Sequence, residues 1–214
     1  LVIPCIPKSE LKQVRKEFRE TIARMPEFLH GQAMLEFGSG KPHSVFREKA
    51  PPFVGGGFAA LANPSSFHNV LVRKIRARAH RCVKDAVFDE VLQTNPELKF
   101  EQVIDRMMFR RAKQTASAES WHRDESVHAK AGDDIFGGWI NLDDINQKFS
   151  GIPGSHREVG NRNRGFAVIP KEQHCELEKR KQSIVIPPGH IFVFYERMIH
   201  EVVSKDRKST RLNS

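Results

Sequence analysis

The chain changes character at Asn95-Pro96. Downstream, its apolar residues come in short runs, VIDRMMFRR, DIFGGWINL, GFAVIP, SIVIPP and HIFVFYERMIHEVV, parted by Gly, Pro, Asn and Asp. Runs of that length with such punctuation predict strands and turns, because those four residue types supply the backbone angles that reverse a chain. Upstream the spacing is helical. Ser9 precedes Leu11, Val14, Phe18 and Ile22, set three and four apart and closed by Pro26 after Met25, which predicts an amphipathic helix. Asn63-Pro64-Ser65-Ser66 reads as a helix start, and Val70, Leu71, Ile75, Ala79, Val83, Val87 and Val91 then mark one side of a longer helix. Between Glu27 and Asn63 the pieces AMLEF, PPF and GGGFAAL suggest loops with one or two strands. Helices first and turn-linked strands second predict an α+β fold, an antiparallel barrel or jelly roll with the N-terminal helices packed on one sheet.

At 214 residues the chain has the size of a single domain, with residues 1–95 as mainly helical support and 96–214 as the β-rich core. No apolar run approaches the roughly 20 residues of a membrane span. The opening LVIPCIP is too short for a secretory signal and lacks the basic flank, and Leu1 in place of Met suggests a trimmed start. Cys5, Cys82 and Cys175 are odd in number and far apart, so neither a disulfide framework nor a CxxC zinc site can be drawn from them, and a reducing, cytoplasmic setting is expected. The formal charge of +9 is compatible with nucleic acid, an anionic substrate or a solvated surface. Arg73, Lys74, Arg76, Arg78, Arg81 and Lys84 crowd the second helix, and the favoured reading is a solvated outer face rather than a phosphate-binding stripe. No interleaved aromatic motif supports nucleic acid.

The chemistry is concentrated in Ser120-Trp121-His122-Arg123-Asp124. On an extended strand, side chains at i and i+2 point to the same side, so His122 and Asp124 can share one ion. His200, at the end of the apolar run IFVFYERMIH, offers a third ligand. Two neutral imidazoles and a carboxylate suit iron(II): they take one face of an octahedron and leave the opposite face open. Zinc more often takes a closed or near-closed tetrahedral set. Among ten histidines an H-x-D pair alone is a weak signal; the pair beside a strand, with a distant His on another strand, is much rarer.

WHRDE, GGWINLDD, GIPGSHREVG and IVIPPGHIFVFYERMIHEV occur in the order found in phytanoyl-CoA dioxygenase-like enzymes, which the chain resembles over about residues 100–211. The resemblance implies a double-stranded β-helix, with His122, Asp124 and His200 as metal ligands and catalytic residues. It implies iron(II), 2-oxoglutarate as co-substrate and molecular oxygen, with hydroxylation of a C–H bond and release of succinate and carbon dioxide. Asp124 favours hydroxylation, since a halogenase of this fold is expected to have a small residue there. The resemblance further implies a basic residue about one strand beyond the last His to hold the remote carboxylate of 2-oxoglutarate. Arg211 is the candidate and Arg207 the reserve, a guanidinium fork being suited to a carboxylate. The family's strand after that Arg is missing, so the C-terminus is expected to be truncated, and the polar end KDRKSTRLNS could be foreign to the natural protein. The resemblance also implies a Trp near the co-substrate, for which Trp139 is the candidate, a buried core role being the alternative. His156 is expected to shape the pocket entrance without ligating, and His128, His174 and His190 to be solvated. The alternative functions are a non-catalytic metal- or ligand-binding jelly roll and an oxygenase directed at nucleic acid. A small-molecule or lipid-like substrate is the expected partner, its identity and the oligomeric state being undetermined by sequence.

Overall fold

Pro7 has no N–H to lose, and its carbonyl accepts the first helical bonds from Glu10 and Leu11. Helix α1, Lys8–Ala23, starts there. Leu11 and Phe18, two of the four residues of the predicted apolar stripe, are buried. The computed structural model describes residues 1–23, 59–60, 70–102, 108–109, 119–124, 134–158 and 165–202. They belong to two compact units, one of Cys5–Thr115 and one of Leu1–Pro4 with Ala116–Ser214. The helix-start signal at 63–66 and the predicted loops before it lie outside the described residues, apart from the short strand β2, Ala59–Ala60.

In the first unit the predicted long helix is instead three segments: α2 (Val70–Val83), a π turn (Lys84–Phe88) and α3 (Asp89–Thr94). The π turn coincides with a Lys84–Asp89 ion pair at 2.9 Å, whose five-residue separation matches that wider helix. The predicted apolar side is also shifted. Val72 and Val83 are buried, whereas Val70 and Val91 are exposed. Asn95 stops the helix by aiming both its backbone N–H and its side-chain amide at the Val91 carbonyl, and Pro96 follows. On the basic face Arg73, Lys74 and Arg81 are exposed, but Arg78 donates to Glu10 of α1 at 2.6 Å and Arg76 to the Gln102 carbonyl. Cys5 and Cys82, remote in sequence, meet thiol to thiol while remaining free, and burial with that contact pushes the Cys5 thiol up to about 12. Strand β2 pairs antiparallel with β3, Met108–Phe109, the described strand within VIDRMMFRR.

The second unit is built on two antiparallel sheets. The smaller has β1 (Val2–Pro4) and β5 (Phe136–Ile140) on either side of β9 (His190–Tyr195). The larger runs β7 (Ala167–Val168), β4 (Glu119–Arg123), β10 (His200–Val202), β6 (Gln147–Gly151), β8 (Gln182–Ile186). Mixed helix and antiparallel sheet is thus observed, as the residue pattern predicts. Three details differ. The run HIFVFYERMIHEVV is two strands in different sheets, because the chain reverses after Tyr195, whose carbonyl accepts the Met198 N–H. His200 therefore opens a strand rather than closing one. The opening residues and QKFSG form β1 and β6, which the sequence reading passed over, and HCELEKR is a helix, α4 (His174–Arg180), rather than a loop.

Phe149 of the larger sheet packs with Ile186 and with Phe192 of the smaller, so the two sheets share a core. On another side of β4, Trp121 joins Ile152, Ile169, Ile199 and Leu177 of α4. Both Trp121 and His122 are 2% exposed, so β4 is buried at adjacent positions that point to opposite faces. Buried Asn141 binds the end of β5 to the Pro-Gly turn before β9: its amide donates to the Ile145 and Ile186 carbonyls, and its backbone exchanges bonds with His190 and Gly189. Among the described residues no helix is long and apolar enough to cross a membrane.

Candidate metal centre

Strands β4 and β10 run side by side with His200 directly opposite His122, and the ring centroids lie 4.1 Å apart. Asp124 follows β4, its backbone N–H donating to the Glu196 carbonyl. Its Oδ2 stands 3.5 Å from His200 Nε2 and 4.0 Å from His122 Nε2. One ligand atom from each of the three residues falls within 4.8 Å of the others. The structure brings the three predicted residues together.

The imidazoles are oriented by the backbone. His122 Nδ1 lies 2.7 Å from the Ser120 carbonyl and His200 Nδ1 lies 2.9 Å from the Met198 carbonyl. A carbonyl can only accept, so each Nδ1 carries the proton and donates it. In the neutral ring Nε2 is then a bare lone pair, the form in which a histidine binds metal. Two such lone pairs and a carboxylate oxygen converge here, an arrangement that is repulsive until a positive charge sits among them. A proton on either ring or a divalent cation supplies it. The mixed nitrogen and oxygen set fits iron(II), and three protein ligands leave coordination positions for other groups.

The surroundings are aromatic. Phe149 stacks near His200 at 5.4 Å and Phe194 meets it edge-on at 5.1 Å. Phe166 lies over His122 at 4.5 Å and is itself 55% exposed. Rings on both histidines keep water from their faces and hold them in one rotamer. Trp139 packs against Phe149, Phe192 and Phe194 and donates its Nε1 to Gln147 at 2.7 Å, so it backs the rings that flank His200. Arg207, Arg211 and His128 lie outside the described residues.

His156 lies flat on Tyr195 at 4.2 Å, and burial lowers its pKa, Arg157 adding to the effect. His174 and His190 are half-buried, not simply solvated: each holds a backbone carbonyl, that of Ile169 and of Pro188. The sequence reading did not single out Arg123, Ser155 or Phe166 as site residues. Ser155 lies inside the quoted Pro-Gly-Ser-His turn and Arg123 between two ligands, so their positions were in view; their roles depend on backbone partners distant along the chain. The phytanoyl-CoA dioxygenase (PhyH) family model matches residues 1–205. No curated protein matches the chain.

Proposed function

The chain belongs to the phytanoyl-CoA dioxygenase family, and from that premise we propose that it is an iron(II)- and 2-oxoglutarate-dependent hydroxylase. Its β unit is read as the double-stranded β-helix of such enzymes, on the strength of two antiparallel sheets sharing one aromatic core. The observation that carries the proposal is the meeting of His122, Asp124 and His200, both rings having their Nδ1 protons engaged by backbone carbonyls.

His122 and His200 would hold iron through Nε2, and Asp124 through its carboxylate. Bound there, iron(II) supplies the activation of oxygen that no amino-acid side chain provides. The protein fixes the two imidazoles through Ser120 and Met198, places the one carboxylate against both, and lines the histidines with Phe149, Phe166 and Phe194. That lining lowers the local dielectric and strengthens the attraction of Asp124 for a cation. Asp124 would supply a ligand where a halogenase needs room for halide, which favours hydroxylation. Arg211, with Arg207 in reserve, is the proposed anchor for the remote carboxylate of 2-oxoglutarate, and Trp139 supports the site through Phe149 and Phe194. Overall, a C–H bond of a small or lipid-like substrate becomes C–OH as 2-oxoglutarate and oxygen become succinate and carbon dioxide.

Purified protein given iron(II), 2-oxoglutarate and oxygen is expected to release succinate above the iron-free control, and His122→Ala and His200→Ala to fall to that control while keeping their circular dichroism. Iron-independent turnover, or full activity in either variant, would remove the triad from the mechanism.

A further inference from the structure

The carbonyl that orients His200 belongs to Met198, in the reversal between β9 and β10. Both neighbours of Met198 are pinned. Arg123 Nη1 donates to the Arg197 carbonyl at 2.6 Å, and the Ile199 N–H donates to Ser155 Oγ at 2.8 Å. Ser155 is fully buried and passes its own hydroxyl proton to the Ile152 carbonyl at 2.7 Å, so the hydroxyl is used as donor and acceptor at once. The same Nη1 also donates to the Ser155 carbonyl at 2.6 Å, which joins the two pins in one network. Glu158 fixes the guanidinium from beyond, 3.4 Å from Nη2, and is itself bound by Arg180.

Arg123 stands between His122 and Asp124 in sequence, and on a strand its side chain leaves the opposite face from theirs. Arg123 thus ties the segment that runs from His122 to Asp124 to the turn that presents His200, alongside the Asp124 N–H bond to the Glu196 carbonyl. A guanidinium can do this because it is planar and always charged, with several donors at fixed angles; an ammonium on a flexible stem cannot hold the same geometry.

We infer that Arg123 and Ser155 are positioning residues of the metal centre, locking the 195–199 turn so that the Met198 carbonyl aims His200 Nε2 at the ion. The inference rests on the metal-centre reading above and gives that reading a residue-level cause for its geometry. Neither side chain is one of the three proposed ligands; both act through the backbone that flanks Met198. Outer partners of metal-binding histidines commonly change affinity by one or two powers of ten when removed.

The test is cobalt(II) binding to the otherwise metal-free protein, followed by the visible absorption of the bound ion, with circular dichroism checking the fold of each variant. Arg123→Met and Ser155→Ala are expected to weaken cobalt binding roughly tenfold or more and to alter the absorption band. In a His200→Ala background, Arg123→Met should cost less than about twofold, since the ring it aims is gone. A residue that serves only to hold the fold together would lower the unfolding midpoint and leave the cobalt affinity and band of the folded protein as they are. If Arg123→Met does not fold, Arg123→Lys replaces it, keeping charge and stem but not the paired contact. Wild-type affinity and band in these variants, or an undiminished loss in the His200→Ala background, overturns the inference alone. Failure of the wild type to bind cobalt overturns the metal-centre reading, and this inference with it.

Discussion

His156 lies against Tyr195 with the two rings parallel, and burial is the main reason its pKa falls below the ordinary value of 6.5. Arg157, Arg123 and Arg197 push in the same direction and Asp134 opposes them. A histidine with a lowered folded pKa favours the neutral ring, so its stabilisation is fully present above 6.5 and is lost as pH falls through the folded value. Urea unfolding from pH 8 to pH 5 should therefore show the wild type losing more stability below about 6.5 than His156→Gln, which has no imidazole to charge. Parallel pH dependences in the two proteins would remove His156 as the cause. The three members of the triad were readable from sequence because strand periodicity alone puts His122 and Asp124 on one side, and few residue types can complete such a set. Arg123 and Ser155 were not readable in the same way. What gives them meaning is a carbonyl at Ser155, another at Arg197 and an N–H at Ile199, and backbone groups leave no trace in residue identity.

The strand run HIFVFYERMIHEVV shows how an element can be recognised and its limits misjudged. Its apolar residues resume after Glu196-Arg197 and again after His200-Glu201, and no Gly or Pro marks the reversal after Tyr195. The reversal is made instead by the Met198 N–H returning to Tyr195, and it carries His200 into the other sheet, opposite His122. Strand β6 escaped notice for the opposite reason: Gln147-Lys148-Phe149-Ser150-Gly151 has one large apolar residue, yet that Phe packs between the sheets. Strand β5 was visible as GGWINL, and its glycines have a steric reason. A Cβ on Gly138 would stand 2.1 Å from the Phe192 carbonyl oxygen on the neighbouring strand, and backbone cannot step aside as a side chain can. Gly138→Ala should push β5 from β9 and disturb Trp139, costing about 1–3 kcal/mol of stability. Gly154→Ala is a useful contrast, since its cost comes from a positive φ of 80° with nothing within 4 Å of the new methyl. Chemical denaturation of both variants checks this: a Gly138→Ala protein as stable as wild type would mean the strands relax freely.

The family match spans residues 1–205, while the sequence resemblance was drawn from motifs beginning near residue 100; helices before Pro96 carry apolar spacing but few residues whose chemistry could identify them. A helix needs only a stripe, and many sequences supply one, whereas a metal centre needs particular atoms at particular places. The same asymmetry applies beyond the triad. Arg211 lies eleven residues past His200, and its proposed contact with 2-oxoglutarate rests on position and charge. Its two oxygens would be met by a guanidinium fork, and loss of such a charged bond costs about 1.5–3 kcal/mol. Arg211→Ala should accordingly raise the 2-oxoglutarate requirement about tenfold or more, because each 1.4 kcal/mol is a factor of ten. Iron affinity should stay near that of wild type, since the proposed ligands are His122, Asp124 and His200 and do not include Arg211. Titrating 2-oxoglutarate into iron-loaded wild type, Arg207→Ala and Arg211→Ala separates the candidates. A shift in Arg207→Ala alone transfers the role to Arg207. An unshifted curve in both rejects this segment as the anchor and leaves the metal centre standing, because the two claims rest on different atoms.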